Sequence, residues 1–259
     1  MSGMRKDEGL AAARGRGTQE GRETVKTDDR RKTGWLRGTL RMLGFFLLLA
    51  AQALLPAAQA GERVTVAAAA DLKFALDEIV ADFRRARPDD AVEVVYGSSG
   101  KFATQIRQGA PFDLYFSADI AYPRALEAEG LALGPTRPYA VGRIVLWSRT
   151  RDAGALRLQD LADPALGRIA IANPRTAPYG SEALRVLDYY RLSASVTPRL
   201  VSGDNIAQAA QFVDSGAAQA GFVAKALVLA PQMKDVGRWV DIPAASHQPI
   251  VQDMVLLKP

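Results

Sequence analysis

The sequence contains no cysteine and a single histidine, His247. Without cysteine the chain has no disulfide, no thiolate metal site and no cysteine nucleophile. One histidine argues against a histidine-based metal cluster and leaves a serine nucleophile with His247 as its only histidine base. The spacing in Gly97-Ser98-Ser99-Gly100 is not the Gly-x-Ser-x-Gly spacing of a hydrolase elbow. These absences predict a protein that is not an enzyme.

Long apolar runs are also missing. The best candidate, residues 42–51, is shorter than the ~20 residues that span a bilayer. Two arginines precede this run, and a small-x-small pattern, Ala58-Gln59-Ala60, follows it. This order is typical of a secretory signal peptide, so residues 37–60 are predicted to be one, with cleavage after Ala60 and a periplasmic destination. The alternative is a membrane-anchored sensor that keeps residues 42–55 as its anchor.

Residues 61–259 have no formal net charge. The whole chain has a formal charge of +5, but residues 61–259 contain 22 basic and 22 acidic residues. No Lys/Arg run after residue 60 resembles a stripe that follows phosphates, so no nucleic-acid partner is predicted. Residues 1–36 are polar and have no apolar periodicity, which predicts that they are disordered or belong to a misassigned start.

From Val64 onward, short apolar strands alternate with amphipathic helix patterns. This alternation predicts an α/β fold with mainly parallel sheets flanked by helices. The pattern restarts near Gly142, and the extended closing segment 251–257 can return to the first part. We therefore predict two lobes with a hinge between them: residues 61–142 plus 240–259 form lobe 1, and residues 143–239 form lobe 2.

The first helix pattern begins directly after the first strand. Its apolar residues fall at helical spacing and are Leu72, Ala75, Leu76, Ile79, Val80 and Phe83. We expect this stripe to face the core, and we expect the side chain of Asp71 to cap the helix at its N-terminus.

Four strand-to-helix junctions carry the functional signal. They lie at Ala70-Asp71, Ser98-Ser99, Tyr179 and Ile206. The first N–H groups of a helix have no partner within the helix and carry partial positive charge, and serine adds a neutral donor. In open α/β sheets such junctions converge beyond the carboxyl ends of the strands, so two junctions in each lobe can enclose a small oxyanion. At any single junction an ordinary serine N-cap is the alternative.

The donors at these junctions are neutral, and this limits the ligand. They suit a fully ionised dianion, because a hydrogen phosphate would have no acceptor for its own O–H. An organic acid is usually held by a bidentate arginine, and none stands at the four junctions. Asp71 is the exception among these neutral junction residues because its side chain is a carboxylate. If it faced the pocket, it would accept a proton or repel a dianion.

At these residues the chain resembles the periplasmic molybdate-binding proteins of ATP-binding-cassette importers, a group within the two-lobed periplasmic binding protein superfamily. The resemblance covers nearly all of residues 62–257. It is carried by VTVAAAADL at 64–72, GSS at 97–99, GAPFDLYFSAD at 109–119 and GRIAIANP at 167–174. It implies a type II fold, a molybdate or tungstate ligand, a membrane permease as partner, a monomer, no cofactor and no direct bond between protein and molybdenum.

The resemblance also implies roles for the junction residues. Ser98 and Ser99 lie at the oxyanion, with Ser99 giving a hydroxyl and an N–H, and the Ala70-Asp71 junction gives a second set of donors. Tyr179 and Ile206 donate backbone N–H groups from the other lobe. Many relatives have serine in place of Asp71, so we expect its N–H to contribute while its side chain caps the helix. Sulfate, thiosulfate and phosphate stay open as alternative ligands.

Overall fold

The computed structural model describes residues 62–149 and 157–259. The predicted signal peptide and its cleavage site at Ala60 lie outside these residues. Within the part of the chain that is described, no helix combines the length and the apolar character needed to cross a membrane.

Ten strands and seven α-helices are present in the described residues, joined by short 3-10 turns. The strands are β1 Arg63–Ala69, β2 Ala91–Gly97, β3 Leu114–Ser117, β4 Arg137–Gly142, β5 Ile144–Ser148, β6 Ile169–Ala172, β7 Leu200–Gly203, β8 Ala220–Ala224, β9 Arg238–Asp241 and β10 Ile250–Leu256. The helices are α1 Lys73–Ala86, α2 Ser99–Arg107, α3 Ala121–Ala128, α4 Pro178–Tyr189, α5 Ser193–Val196, α6 Ile206–Asp214 and α7 Lys225–Val228.

The strands form two five-stranded sheets with matching organisation. The first has the order β2-β1-β3-β10-β4, and the second has the order β7-β6-β8-β5-β9. In each sheet three neighbouring strands are parallel, the fourth is antiparallel to them, and the fifth pairs antiparallel with the fourth. Four of the five strands therefore run in one direction, which agrees with the predicted mainly parallel α/β class. The chain passes between the sheets twice, after β4 and after β9.

The sheets differ in how completely they are covered. Every residue of β5, β6 and β8 is buried, and the largest fully buried side chain, Trp147, lies in β5. Strands buried on both faces read as continuous apolar runs, which is why this region was recognisable from sequence. In the first sheet β2 alternates exposed and partly buried residues, as expected for a strand with one face toward solvent.

Helix α1 covers the first sheet with a narrower apolar face than the sequence pattern predicts. Leu76 and Val80 are buried against Val66 and Ala68 of β1. Ile79 and Phe83, in contrast, are 61% and 41% exposed. The prediction that all six apolar positions face the core was wrong for these two and for Ala75, which is also exposed, because the helix contacts the sheet along one line of residues rather than across a wide stripe.

Candidate oxyanion site

The four predicted junctions form two neighbouring pairs, one pair on each sheet. β1 and β2 are parallel with Ala69 opposite Gly97, so the segments that begin at Ala70 and Ser98 leave the sheet side by side. In the second sheet Ala172 lies opposite Gly203, and α4 and α6 begin a few residues beyond these strand ends. Each pair thus presents two adjacent helix or turn starts at the carboxyl edge of its sheet.

Direct contacts bring the two pairs together. The Gly100 N–H donates to the Thr176 carbonyl across the two sheets, at 2.8 Å. The Tyr179 hydroxyl donates to Asp71 Oδ2 at 3.2 Å, and Lys101 Nζ lies 3.0 Å from Asp204 Oδ1. Helix α6, which begins at Ile206, packs against the turn 70–72. All six predicted site residues are buried; they are Ala70, Asp71, Ser98, Ser99, Tyr179 and Ile206.

Asp71 does not cap its own helix, so that expectation was wrong. The chain forms a 3-10 turn over Ala70–Leu72 before α1, and the N-cap position of α1 is Leu72, with no side-chain cap bond. The Asp71 carboxylate instead accepts hydrogen bonds through Oδ2 from Tyr179 and from Gln252 Nε2. Its other oxygen, Oδ1, is buried without a partner. The side chain therefore joins the two lobes rather than its own helix.

The two serines at the start of α2 have different surroundings. Ser98 occupies the N-cap position, but its side chain makes no cap bond, and its buried Oγ has no hydrogen-bond partner. Ser99 Oγ accepts the Ala118 N–H at 2.9 Å, which leaves the Ser99 hydroxyl hydrogen available as a donor. Neither serine side chain acts as an ordinary N-cap.

Electrostatically the site is built from neutral donors and one carboxyl. Burial raises the pKa of Asp71 to about 6, although the hydrogen bonds from Gln252 and Tyr179 partly offset this effect. Burial, together with the nearby Asp71, raises the pKa of Tyr179 well above its usual value, so Tyr179 is a neutral donor. Within the described ranges, no group of three or more His, Cys, Asp and Glu residues is arranged to hold a metal ion.

A model of the bacterial extracellular solute-binding proteins matches residues 64–259. The chain belongs to this family. It is 40% identical over 225 residues to the molybdate-binding protein ModA of Rhodobacter capsulatus, with 85% of each chain covered.

Two solved structures have a similar architecture. The periplasmic molybdate-binding protein of Azotobacter vinelandii is similar with a TM-score of 0.70 and 36% identity, over 75% of this chain and 85% of that one. The sulfate-binding protein SubI of Mycobacterium tuberculosis shares the fold at a TM-score of 0.61 and 14% identity, over 76% of each chain. The predicted two-lobed type II fold is confirmed, and the family is one of binding proteins rather than enzymes.

Sequence reasoning missed two residues of this solute-binding protein's cleft. Thr176 contributes the carbonyl that contacts α2, and its Oγ1 is buried without a partner. Gln252 lies in β10 and donates to both Asp71 and Tyr179, the second bond at 3.1 Å. A signal for Gln252 was present, because it is an uncharged polar residue inside an otherwise largely apolar closing strand. Thr176 gave no comparable signal.

Proposed function

We propose that this protein captures molybdate between its two lobes outside the cytoplasm and delivers it to an ATP-binding-cassette permease. One observation carries the proposal. Two pairs of strand-to-helix junctions meet, and the buried hydroxyls of Ser98 and Thr176 at these junctions have no hydrogen-bond partner among the described residues. A tetrahedral oxyanion supplies acceptors to such donors. Two relatives, 40% and 36% identical to the chain over the aligned residues, are named as molybdate-binding proteins.

In this proposal the oxyanion is held by hydrogen bonds alone, with no bond between protein and molybdenum. The donors are the hydroxyls of Ser98, Ser99 and Thr176 and the backbone N–H groups at Ala70-Asp71, Tyr179 and Ile206. A hydrogen bond to a charged group contributes about 1.5–3 kcal/mol. Several such bonds are enough to reach a dissociation constant of ~1 μM, or about 8 kcal/mol, after desolvation and ordering costs.

The lobes close on the ligand by a hinge motion. We assign residues 61–142 plus 240–259 to lobe 1 and residues 143–239 to lobe 2, so that both crossings act as hinge strands. The protein works as a monomer in the periplasm after removal of residues 37–60. Tungstate, which has the same charge and tetrahedral shape as molybdate, is a second ligand of the same site.

Thermal unfolding of the purified protein with different anions tests the assignment. Ligand present at 100 times its dissociation constant adds about 2.7 kcal/mol to the free energy of unfolding, which raises the Tm of a chain of this size by several degrees. We expect the shift with molybdate and tungstate and not with sulfate or phosphate. An equal shift with sulfate would make the protein a general oxyanion receptor, and a Tm that no anion moves would refute oxyanion binding.

A further inference from the structure

The side chain of Asp71 has a carboxyl oxygen that is left free to interact with the oxyanion. The residue is 3% exposed, and its backbone N–H belongs to the donor set of the proposed function, on which this inference rests. Its side chain leaves the same residue whose N–H is proposed to bind the anion. Oδ2 is occupied by Tyr179 and Gln252, whereas Oδ1 has no partner within the described residues. Oδ1 is thus the carboxyl oxygen left to interact with the ligand.

Among the described residues, the groups that hydrogen-bond to this carboxyl include no cation. From β4 and α4 it is faced by two tyrosines, Tyr139 and Tyr179, whose pKa values are raised by burial and by Asp71 itself. From β10 it meets the neutral Gln252, and Asp253 follows on the same strand. The turn 70–72 also packs against α1, α6 and α7, where several charged groups form ion pairs of their own. These pairs are Lys73–Asp77, Arg149–Asp214 and Lys225–Asp241.

A dianion next to an ionised Asp71 would place like charges together in a buried site. Such an arrangement favours the protonated carboxyl, because a neighbouring charge of the same sign disfavours ionisation. A proton on Oδ1 converts the oxygen from a repelled acceptor into a donor to the oxyanion. The high pKa that burial gives Asp71 agrees with easy protonation near neutral pH.

We infer that the site binds one proton together with each oxyanion, shared between Asp71 Oδ1 and an oxygen of the ligand. The proton comes from solvent, the carboxylate gains it on binding and returns it on release, and no other bond changes. Asp71 in this role is a specificity residue. It lets the site take a dianion together with one proton from solvent.

Isothermal titration of the purified protein with molybdate between about pH 5 and pH 8 tests this inference. Below a pKa of about 6 the carboxyl is already protonated and the affinity is constant. Above it, the dissociation constant rises about tenfold for each pH unit, because one proton must be taken up. Titrations in buffers of different ionisation enthalpy are expected to give an uptake close to one proton per molybdate at pH 8.

Asp71→Asn provides the variant test. Its amide donates where the protonated carboxyl would, so we expect binding that does not change with pH and that is about 100-fold tighter than wild type at pH 8. Asp253→Asn is the matched control. It also removes a buried carboxylate with one unpartnered oxygen, and it is expected to keep the wild-type pH dependence.

The outcomes separate this inference from the proposed function. Tight molybdate binding by wild type with no proton uptake and a constant affinity overturns the inference and leaves the function intact. A pH slope that persists in Asp71→Asn also overturns it. Absence of molybdate binding by both proteins at every pH refutes the function and the inference together. If Asp71→Asn fails to fold, the proton uptake of the wild-type protein decides by itself.

Discussion

Ser98 and Ser99 are adjacent and both buried, yet their hydroxyls differ in what they already bind. Ser98 Oγ has no hydrogen-bond partner among the residues that the structure describes, so it adds no hydrogen bond to that part of the ligand-free fold. Ser99 Oγ accepts the buried N–H of Ala118, and its carbonyl accepts the Tyr115 hydroxyl at 2.8 Å. At the scale of single residues, Ser99 is therefore both structural and available to the ligand, whereas Ser98 is available to the ligand alone.

Alanine substitutions at the two positions are expected to separate these roles. Ser98→Ala removes no internal hydrogen bond, so its free energy of unfolding without ligand stays within about 0.5 kcal/mol of wild type, while molybdate affinity falls by about 1–3 kcal/mol. Ser99→Ala leaves the Ala118 N–H without an acceptor and lowers both quantities by about 1–3 kcal/mol. Urea unfolding and calorimetric titration measure them. Unchanged affinity in both variants would remove the serines from the site.

At the scale of elements, the start of α2 contacts the other lobe directly through its backbone. Gly100 donates its N–H to the Thr176 carbonyl, and a Cβ at this position would lie 3.0 Å from that oxygen and 2.8 Å from the Tyr122 hydroxyl. The tyrosine ring end can swing aside, but the Thr176 backbone moves only with its lobe. The absence of a side chain at Gly100 therefore allows the two lobes to come together here.

Gly100→Ala is expected to weaken molybdate binding about tenfold or more, because overpacking at a fixed backbone contact costs about 1–3 kcal/mol. Alanine is better than glycine inside a helix by about 0.5–1 kcal/mol, so stability without ligand should not fall by a comparable amount. Gly134→Ala is the control, since a Cβ there meets nothing within 4 Å. If Gly100→Ala binds as tightly as wild type, the closed contact between α2 and Thr176 is not needed for binding.

At the scale of the whole molecule, two sheets of the same strand order face each other through polar contacts. One of these contacts is the ion pair between Lys101 of α2 and Asp204 of the second lobe, at 3.0 Å. The two side chains are 44% and 67% exposed. Exposed ion pairs contribute about 0–1 kcal/mol and are screened by salt. The pair therefore adjusts how readily the lobes close but does not hold them closed.

Lys101→Ala is expected to lower molybdate affinity by at most about fivefold at low salt, and the difference from wild type is expected to vanish near 1 M salt. Arg63→Ala removes a comparably exposed pair, with Glu93, that lies within the first sheet, so it should leave the affinity unchanged. Calorimetric titration at two salt concentrations measures both. A large loss in Lys101→Ala that persists at high salt would place Lys101 in direct contact with the anion.

Much of the fold follows from local patterns. The helix start after Asn205 and the extended closing strand were readable because each depends on neighbours in sequence. Asn205 indeed caps α6 by accepting the Gln208 N–H at 3.0 Å. The width of the buried face of α1 was not readable, because periodicity shows which side of a helix is apolar and not how much of that side a sheet covers.

The sequence by itself determined the alternation of strands and helices and the four junctions rich in neutral donors, since both follow from residues a few positions apart. The tertiary structure decided what the side chain of Asp71 does. Its partners, Tyr179 and Gln252, are 108 and 181 residues away along the chain, and only the packing of two lobes brings them to one carboxylate. The same packing buries that carboxylate without a cation and so makes it a group whose protonation can accompany ligand binding.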